Sequence, residues 1–595
     1  MKEENGSGDA KVERVDDIPV IFGLLQKGRI QASIDRVIQP HGNWQGLSPG
    51  WVIAVWLIHI LTEHSHCMDG VQEWVAKRLE ILRKLTEQEV TELDFTDDRL
   101  ALCLKMLSQA ANWHAIEEKV GGHIIRVYRL EEDPTVRIDA TTGMVYHDAA
   151  KHMLFKLGKG KDGNYAIQFK LMLASLDPLG LTLAVDVVPG DRADDPLYIP
   201  CYRRIKQVLP EPGVLVVGDS KMSAIGTRGD IANEGDFYLT PLAHLKDEPG
   251  MLEELLISWI GREKEMKRIF LPEDMPKDGS LPDPDLAIAR GFEVPRTQQV
   301  ELDGKTVEWT ERLLVVRSVQ YTQRSQTLLH RRLDNAEKAL RALTPARGRG
   351  KRQIEDEASL LAAIQVIEKK YRVTGFFDYE YQCEVTEREV RAYGDKPTRT
   401  ERKVRFQLTV TRNQDAIAEA EFLAGWRIYA TNASAEKLPL ERAVLAYRDQ
   451  YIEENIFRRL KGKNLSITPV YVHRDDHAKG LFHLLTLAAR LLALGDHTAK
   501  QALAQEKAEL AGIYPGNPKR STATPTTERM LANFDNIHLM ILPIAGIRHH
   551  KITPLTEVQT RILNLLDLPI SLYTHLATDF PELHSCPVLP VFPWM

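Results

Sequence analysis

The tightest constraint on this chain is the order of short β-type runs between Thr135 and Thr240. The first is Val136-Arg137-Ile138-Asp139-Ala140-Thr141. Ala166–Leu176 and Leu181–Val188 follow, and Asp177-Pro178-Leu179-Gly180 between them has the residues of a hairpin turn. A helical pattern over Leu197–Val208 leads to Val214-Leu215-Val216-Val217, which ends at Gly218-Asp219. A strand with no polar alternation is one buried on both faces, as parallel strands are. A helix from Ala224 to about Asn233 then leads to Phe237-Tyr238-Leu239-Thr240. Such an order predicts a mixed sheet, antiparallel strands first and helix-connected parallel strands after.

With 595 residues the chain exceeds one ordinary core. The fold class expected is α/β multidomain: a ribonuclease-H-like mixed-sheet core with a large β-rich and helical insertion, preceded by an all-helical N-terminal domain. Residues 17–112 form the helical domain, from apolar spacing in Ile18–Leu25, Trp51–Leu61, Val71–Leu85 and Thr96–Leu107. Its own residues read as scaffold. Residues 113–242 are the first part of the core. Residues 243–425 are the insertion, with strands Tyr379–Glu384 and Val404–Val410 and a basic helical hairpin over Tyr321–Ala342 and Ile354–Tyr371. Residues 426–513 resume the core with Trp426–Ala430, one long helix over Leu440–Lys461, and helices near His477–Leu494 and Lys500–Leu510. Residues 514–595 comprise a Pro/Thr-rich linker and a mostly helical end.

A net charge of −6, from 77 Lys+Arg against 83 Asp+Glu, excludes a generally basic chromatin-type binder but not local basic patches. Arg324–Arg352 is such a patch, with nine Lys/Arg against Asp334 and Glu337. Its centre, Arg347, Arg349, Lys351 and Arg352 among glycines, reads as a DNA-binding hairpin tip, with a solvated loop as the bland alternative. Five scattered cysteines with no CxxC pair fit a reducing compartment. His64, His66 and Cys67 lack a second ligand pair for zinc and are read as structural. Trp51–Leu61 is about half the ~20 residues of a membrane span, and no signal-peptide pattern opens the chain. A cytoplasmic protein without a membrane partner is expected.

Chemistry enters with the acids. Asp139 interrupts a strand, where its charge is costly unless compensated. Asp219 stands at the carboxyl end of a buried strand, where ligands of open α/β sheets gather. On neighbouring strands the two would repel, and a hard cation would relieve that. Asp186, inside Leu183–Val188, rivals Asp139 for the strand position. A third acid lies in Tyr447–Lys461. Projected as one helix at about 100° per residue, Gln450, Glu454, Phe457 and Lys461 share an arc of roughly 60°, and the adjacent Glu453 falls outside it.

This array resembles the Tyr-x2-Arg-x3-Glu-x6-Lys signature of bacterial insertion-sequence DDE transposases of the IS-four superfamily, and in particular its IS-sixteen-thirty-four branch. Tyr447, Glu454 and Lys461 match, and Gln450 stands where the wider superfamily has arginine. Ile138-Asp139-Ala140-Thr141 and Val217-Gly218-Asp219-Ser220 are similar to the two aspartate motifs, and the long insertion falls where the family places one. The resemblance implies catalysis by Asp139, Asp219 and Glu454, which would hold two Mg²⁺ or Mn²⁺ ions. It also implies contacts from Tyr447, Gln450 and Lys461 to DNA. The partners implied are the element's inverted-repeat ends and target DNA, with a homodimer on the DNA. Cleavage would free a 3′-hydroxyl that then attacks target DNA, two metals assisting the attacking and leaving oxygens. A ribonuclease-H-like nuclease or resolvase, or an inactive DNA-binding relative, is the alternative.

Overall fold

The computed structural model describes residues 10–160, 163–242, 250–278, 280–346, 353–391, 398–544 and 547–577. These fall into two compact units. The first comprises residues 1–240, 299–309 and 446–595, and the second residues 241–298 and 310–445.

The first unit opens with strand β1 (Lys11–Arg14) and helices α1 (Ile18–Lys27), α2 (Ile30–Val37), α3 (Pro49–Glu63), α4 (Val71–Ala76), α5 (Leu79–Thr86), α6 (Asp97–Ser108) and α7 (Ala110–Tyr128). Ser48 starts α3 by accepting from the Trp51 amide, and Pro49 at the first position supplies a helix-ready φ. The 19-residue α7 lies where the sequence reading ended its helical domain, although Trp113, Ile116, Val120 and Ile124 give it a buried stripe. Gly121 lets α7 sit close to its neighbour, because a Cβ there would lie 2.8 Å from Val208.

The sheet follows: β2 (Thr135–Met144), β3 (Lys156–Lys159), β4 (Tyr165–Leu176), β5 (Leu181–Pro189), α8 (Tyr198–Val208), β6 (Leu215–Gly218), α9 (Ile225–Asn233) and β7 (Phe237–Pro241). β2 pairs antiparallel with β4, whose other edge carries β3 and β5. On its far side β2 runs parallel to β6, and β6 parallel to β7. The expected mixed sheet is therefore present. A buried ionic network locks helices to it. Glu117 of α7 pairs with Arg204 of α8 at 2.9 Å and accepts from the Val185 amide of β5 at 2.8 Å. Burial raises the Glu117 carboxyl to about 7, against the pull of Arg204 and Arg490. Asp186, the rival of Asp139 in the sequence, is ion-paired to Arg204 at 2.9 Å here.

The second unit contains α10 (Met251–Ile257), β8 (Lys267–Ile269), β9 (Ala289–Leu302), β10 (Lys305–Ser318), α11 (Val319–Arg341), α12 (Glu357–Tyr371), β11 (Phe377–Val390), β12 (Arg399–Arg412), α13 (Gln414–Leu423), β13 (Trp426–Thr431) and most of α14 (Leu440–Arg448). The helical hairpin α11–α12 buries Leu333, Leu340, Leu360 and Ile364 against Phe377, Phe406 and Leu408 of the β11–β12 ribbon. Within this unit β13 pairs antiparallel with β10, Val315 opposite Ile428. The tip of the β9–β10 hairpin belongs to the first unit, where the Trp309 indole donates to the Tyr238 hydroxyl at 2.7 Å. Arg347, Arg349, Lys351 and Arg352 lie outside the described residues.

The chain returns to the first unit with α15 (Tyr451–Lys461), α16 (Asp475–Glu506), β14 (Leu510–Ala511), β15 (Ser521–Thr522), α17 (Thr527–Leu531), β16 (His538–Ile544), β17 (Ile547–Ile552), α18 (Glu557–Leu565) and α19 (Ser571–Thr574). Three expectations are corrected here. The helix Leu440–Lys461 is two helices, broken at Asp449-Gln450. The Ala446 carbonyl, which a continuous helix would bond to the Gln450 amide, instead accepts from the buried Arg137 guanidinium at 2.5 Å. Conversely, α16 is one helix of 32 residues where two were expected. Gly495 keeps it unbroken beside Thr527, since a Cβ would lie 2.4 Å from that hydroxyl, and Asp496 accepts from the Thr527 amide at 2.6 Å. Long and apolar enough to cross a membrane by composition, α16 is mostly buried within the fold. Finally, the mostly helical C-terminal segment contains the hairpin β16–β17, and β1 joins it as a third strand with Lys11 opposite Ile541. Pairing across the length of the chain leaves no local periodicity to read.

Candidate active site

The site grows from the paired strands β2 and β6. Their parallel register ends at Ile138 opposite Gly218, so Asp139 and Asp219 are the next residues on neighbouring strands. Both side chains are part-exposed. Asp139 Oδ1 accepts from the Ala140 amide at 2.7 Å. Gly218 is required by the sharp exit from β6, because a Cβ would lie 2.7 Å from the Met222 sulfur. Asp219 Oδ1 closes that turn by accepting from the Lys221 amide at 2.8 Å. The Thr240 hydroxyl at the end of β7 donates to the Asp219 carbonyl at 2.8 Å.

A residue missed in the sequence joins them. Tyr198, 1% exposed at the start of α8, donates its hydroxyl to Asp219 Oδ1 at 2.6 Å. Burial first, then the charges of Asp219, Asp139 and Glu453, push the phenol far above its usual range. It is therefore a permanent hydrogen-bond donor that orients Asp219. A tyrosine beginning a helix carries no sequence signal for this; only the fold brings it to the aspartate. Tyr198→Phe should leave DNA binding intact and slow cleavage about tenfold, the scale of one charge-assisted hydrogen bond. The loss should be equal from pH 6 to 9. A loss that varied across that range would show that the phenol titrates, and full activity would make its hydroxyl idle.

The break at Asp449-Gln450 changes the register read for the third acid. Tyr447 lies half-buried near the end of α14, and Gln450 precedes α15. The seven-residue spacing from Tyr447 to Glu454 therefore does not run along one helix. From Glu454 to Lys461 it does, and both residues are exposed on the same edge of α15. Glu453, which the projection set aside, is only 3% exposed and lies within electrostatic range of Tyr198. The structure thus brings together Asp139, Asp219, Tyr198 and Glu453, with Glu454 on the adjoining solvent edge.

Among the described residues no three His, Cys, Asp or Glu side chains converge tightly enough to enclose an ion. The donor types nevertheless suit a hard cation: part-exposed carboxylates on neighbouring strands, with another carboxylate beside them. His66, one of the residues weighed for zinc, is occupied by the Leu465 carbonyl at 3.3 Å.

Comparison with curated proteins gave no match. Among solved structures, the chain is similar to the piggyBac transposase in a synaptic complex with hairpin DNA, seen by cryo-EM, at 9% identity and a TM-score of 0.23. That match covers 52% of this chain and 61% of the other, and so loose a superposition carries no weight for the arrangement described above. The family model described as the transposase DDE domain matches residues 132–491, well over half of the chain and a span that contains Asp139, Asp219 and α15. Members of this family generally depend on divalent metal, and the chain belongs to it.

Proposed function

We propose that the protein is a DNA transposase of the bacterial insertion-sequence type. In this reading it cleaves element ends and joins their 3′-hydroxyls to target DNA. The observation that carries the proposal is the register of β2 and β6, which sets two part-exposed aspartates side by side within the matched domain. Asp139 and Asp219, with Glu454, would hold Mg²⁺ or Mn²⁺, two ions in the full arrangement. Bound there, the metals would supply an activated attacking oxygen and charge stabilisation at phosphorus. Glu454 is preferred to Glu453 because a ligand that meets DNA phosphate must be open to solvent, and Glu454 shares its exposed edge with Lys461. Glu453, buried behind that edge, acts through its charge on Tyr198 and its surroundings.

The chain's own groups have separable tasks. Tyr198 fixes the orientation of Asp219, and the Gly218 turn sets its height above the strand. Arg137 anchors the end of α14 through Ala446 while paired to Asp177 at 2.7 Å, so α15 starts from a fixed point. Lys461 offers a point charge to a backbone phosphate, and Tyr447 and Gln450 lie at the turn that leads into α15. The arginine-rich segment Arg347–Arg352 is assigned to DNA backbone contact, and dimerisation on DNA follows from the need to hold two ends. The test is incubation with labelled duplexes carrying the element's own ends and Mg²⁺. Nicked ends followed by joined products are expected. Nicking without joining would favour a resolvase-like nuclease, and neither product would indicate an inactive DNA-binding relative.

A further inference from the structure

Around α15 from the edge that carries Glu454 and Lys461 lies a groove of about 710 Å³. Its walls are α15, the hairpin turn Pro178-Leu179-Gly180, the end of α16, and the C-terminal stretch between Ile513 and Asn533, whose part 514–527 reads in sequence as a linker. That stretch is held in place. Arg459 of α15 pairs with Glu528 at 2.6 Å and with Asp496 of α16 at 2.9 Å. Among the described residues those are the only acids lining the groove, and both are engaged by one arginine.

The remaining charge is positive. Arg458, Lys463, Lys500 and Arg529 line the same groove, and Lys463 and Lys500 form no ion pair among the described residues. Arg529 of the lining and Arg520 both stand over the Tyr514 ring, at 4.6 and 4.2 Å, so two like charges are kept close together. An anion between or beside them relieves that repulsion. Tyr451, 57% exposed, is also in the lining and offers an aromatic face. Cations along a groove with an exposed ring form the combination that tracks a nucleic-acid strand, phosphates on the charges and a base on the ring.

We infer that this groove binds a single DNA strand adjoining the cleavage position, its phosphates on Lys463, Lys500 and Arg529 and one base against Tyr451. The inference rests on the chain acting on DNA, and it assigns the strand a path that the family signature does not.

The test compares wild type, Lys463→Ala/Lys500→Ala, Lys463→Arg/Lys500→Arg and Tyr451→Ala. Binding of a labelled single strand and a blunt duplex, each about 30 nucleotides long, is measured by anisotropy over a salt series. Removing two phosphate contacts should lower the single-strand salt slope by about 1.4, and the arginine variant should restore it. Tyr451→Ala should weaken single-strand binding about tenfold and duplex binding far less. Wild-type slope and affinity in both alanine variants would overturn the groove assignment while leaving the transposase reading intact. Absence of DNA binding by wild type would instead overturn that reading. Lys463 and Lys500 are exposed, so their replacement leaves the core untouched, and the arginine variant controls for folding.

Discussion

Asp139→Asn and Asp219→Asn should each reduce cleavage of an element-end duplex by roughly three orders of magnitude, about 4 kcal/mol in barrier, while DNA affinity stays within a few-fold of wild type. Asparagine keeps the shape of each side chain but removes the charge on which a hard cation depends. The fold should survive, because Asp139 and Asp219 are part-exposed and asparagine keeps the shape of each side chain. Asp186→Asn is the contrasting control. Its carboxylate serves Arg204 in the network around Glu117, so the change should lower thermal stability and leave cleavage chemistry largely in place. Near-normal cleavage by Asp219→Asn would refute the assignment.

The second large effect separates two adjacent glutamates. Glu454→Gln should abolish cleavage in Mg²⁺, because it removes a carboxylate from the solvent edge that also carries Lys461. Glu453→Gln should cost no more than about tenfold, since its buried carboxyl bears on the site through the field at Tyr198. Single-turnover rates on one labelled duplex read this directly. An inactive Glu453→Gln beside an active Glu454→Gln would transfer the third ligand to the buried residue.

Much of this was legible in the sequence wherever physics is local. The four apolar residues Val214–Val217 announced a doubly buried strand, and the Asp177–Gly180 turn announced the β4–β5 hairpin. The two aspartates were visible because charge at a strand position and at a buried strand's end is unusual. Long-range choices were not legible. One guanidinium, Arg137, takes a carbonyl from a helix more than 300 residues away and breaks it, which no projection at constant pitch anticipates. One hydroxyl, Thr527, lets α16 continue through Gly495-Asp496-His497, a stretch that locally reads as a stop. Strand β1 is only four residues long and finds its partner near the other end of the chain. Tyr198 belongs to the same class: its role exists only once α8 sets it beside β6.

The claim that matters most is that these carboxylates hold the divalent cation used to cut DNA. Replacing Asp219 by cysteine tests it directly, because a thiolate is a poor ligand for Mg²⁺ and a better one for softer Mn²⁺. Asp219→Cys should be inactive in Mg²⁺ and recover cleavage at least tenfold in Mn²⁺, whereas Asp219→Ala should stay inactive in both. Equal inactivity of the cysteine variant in both metals, or full activity in Mg²⁺, would contradict metal binding by Asp219.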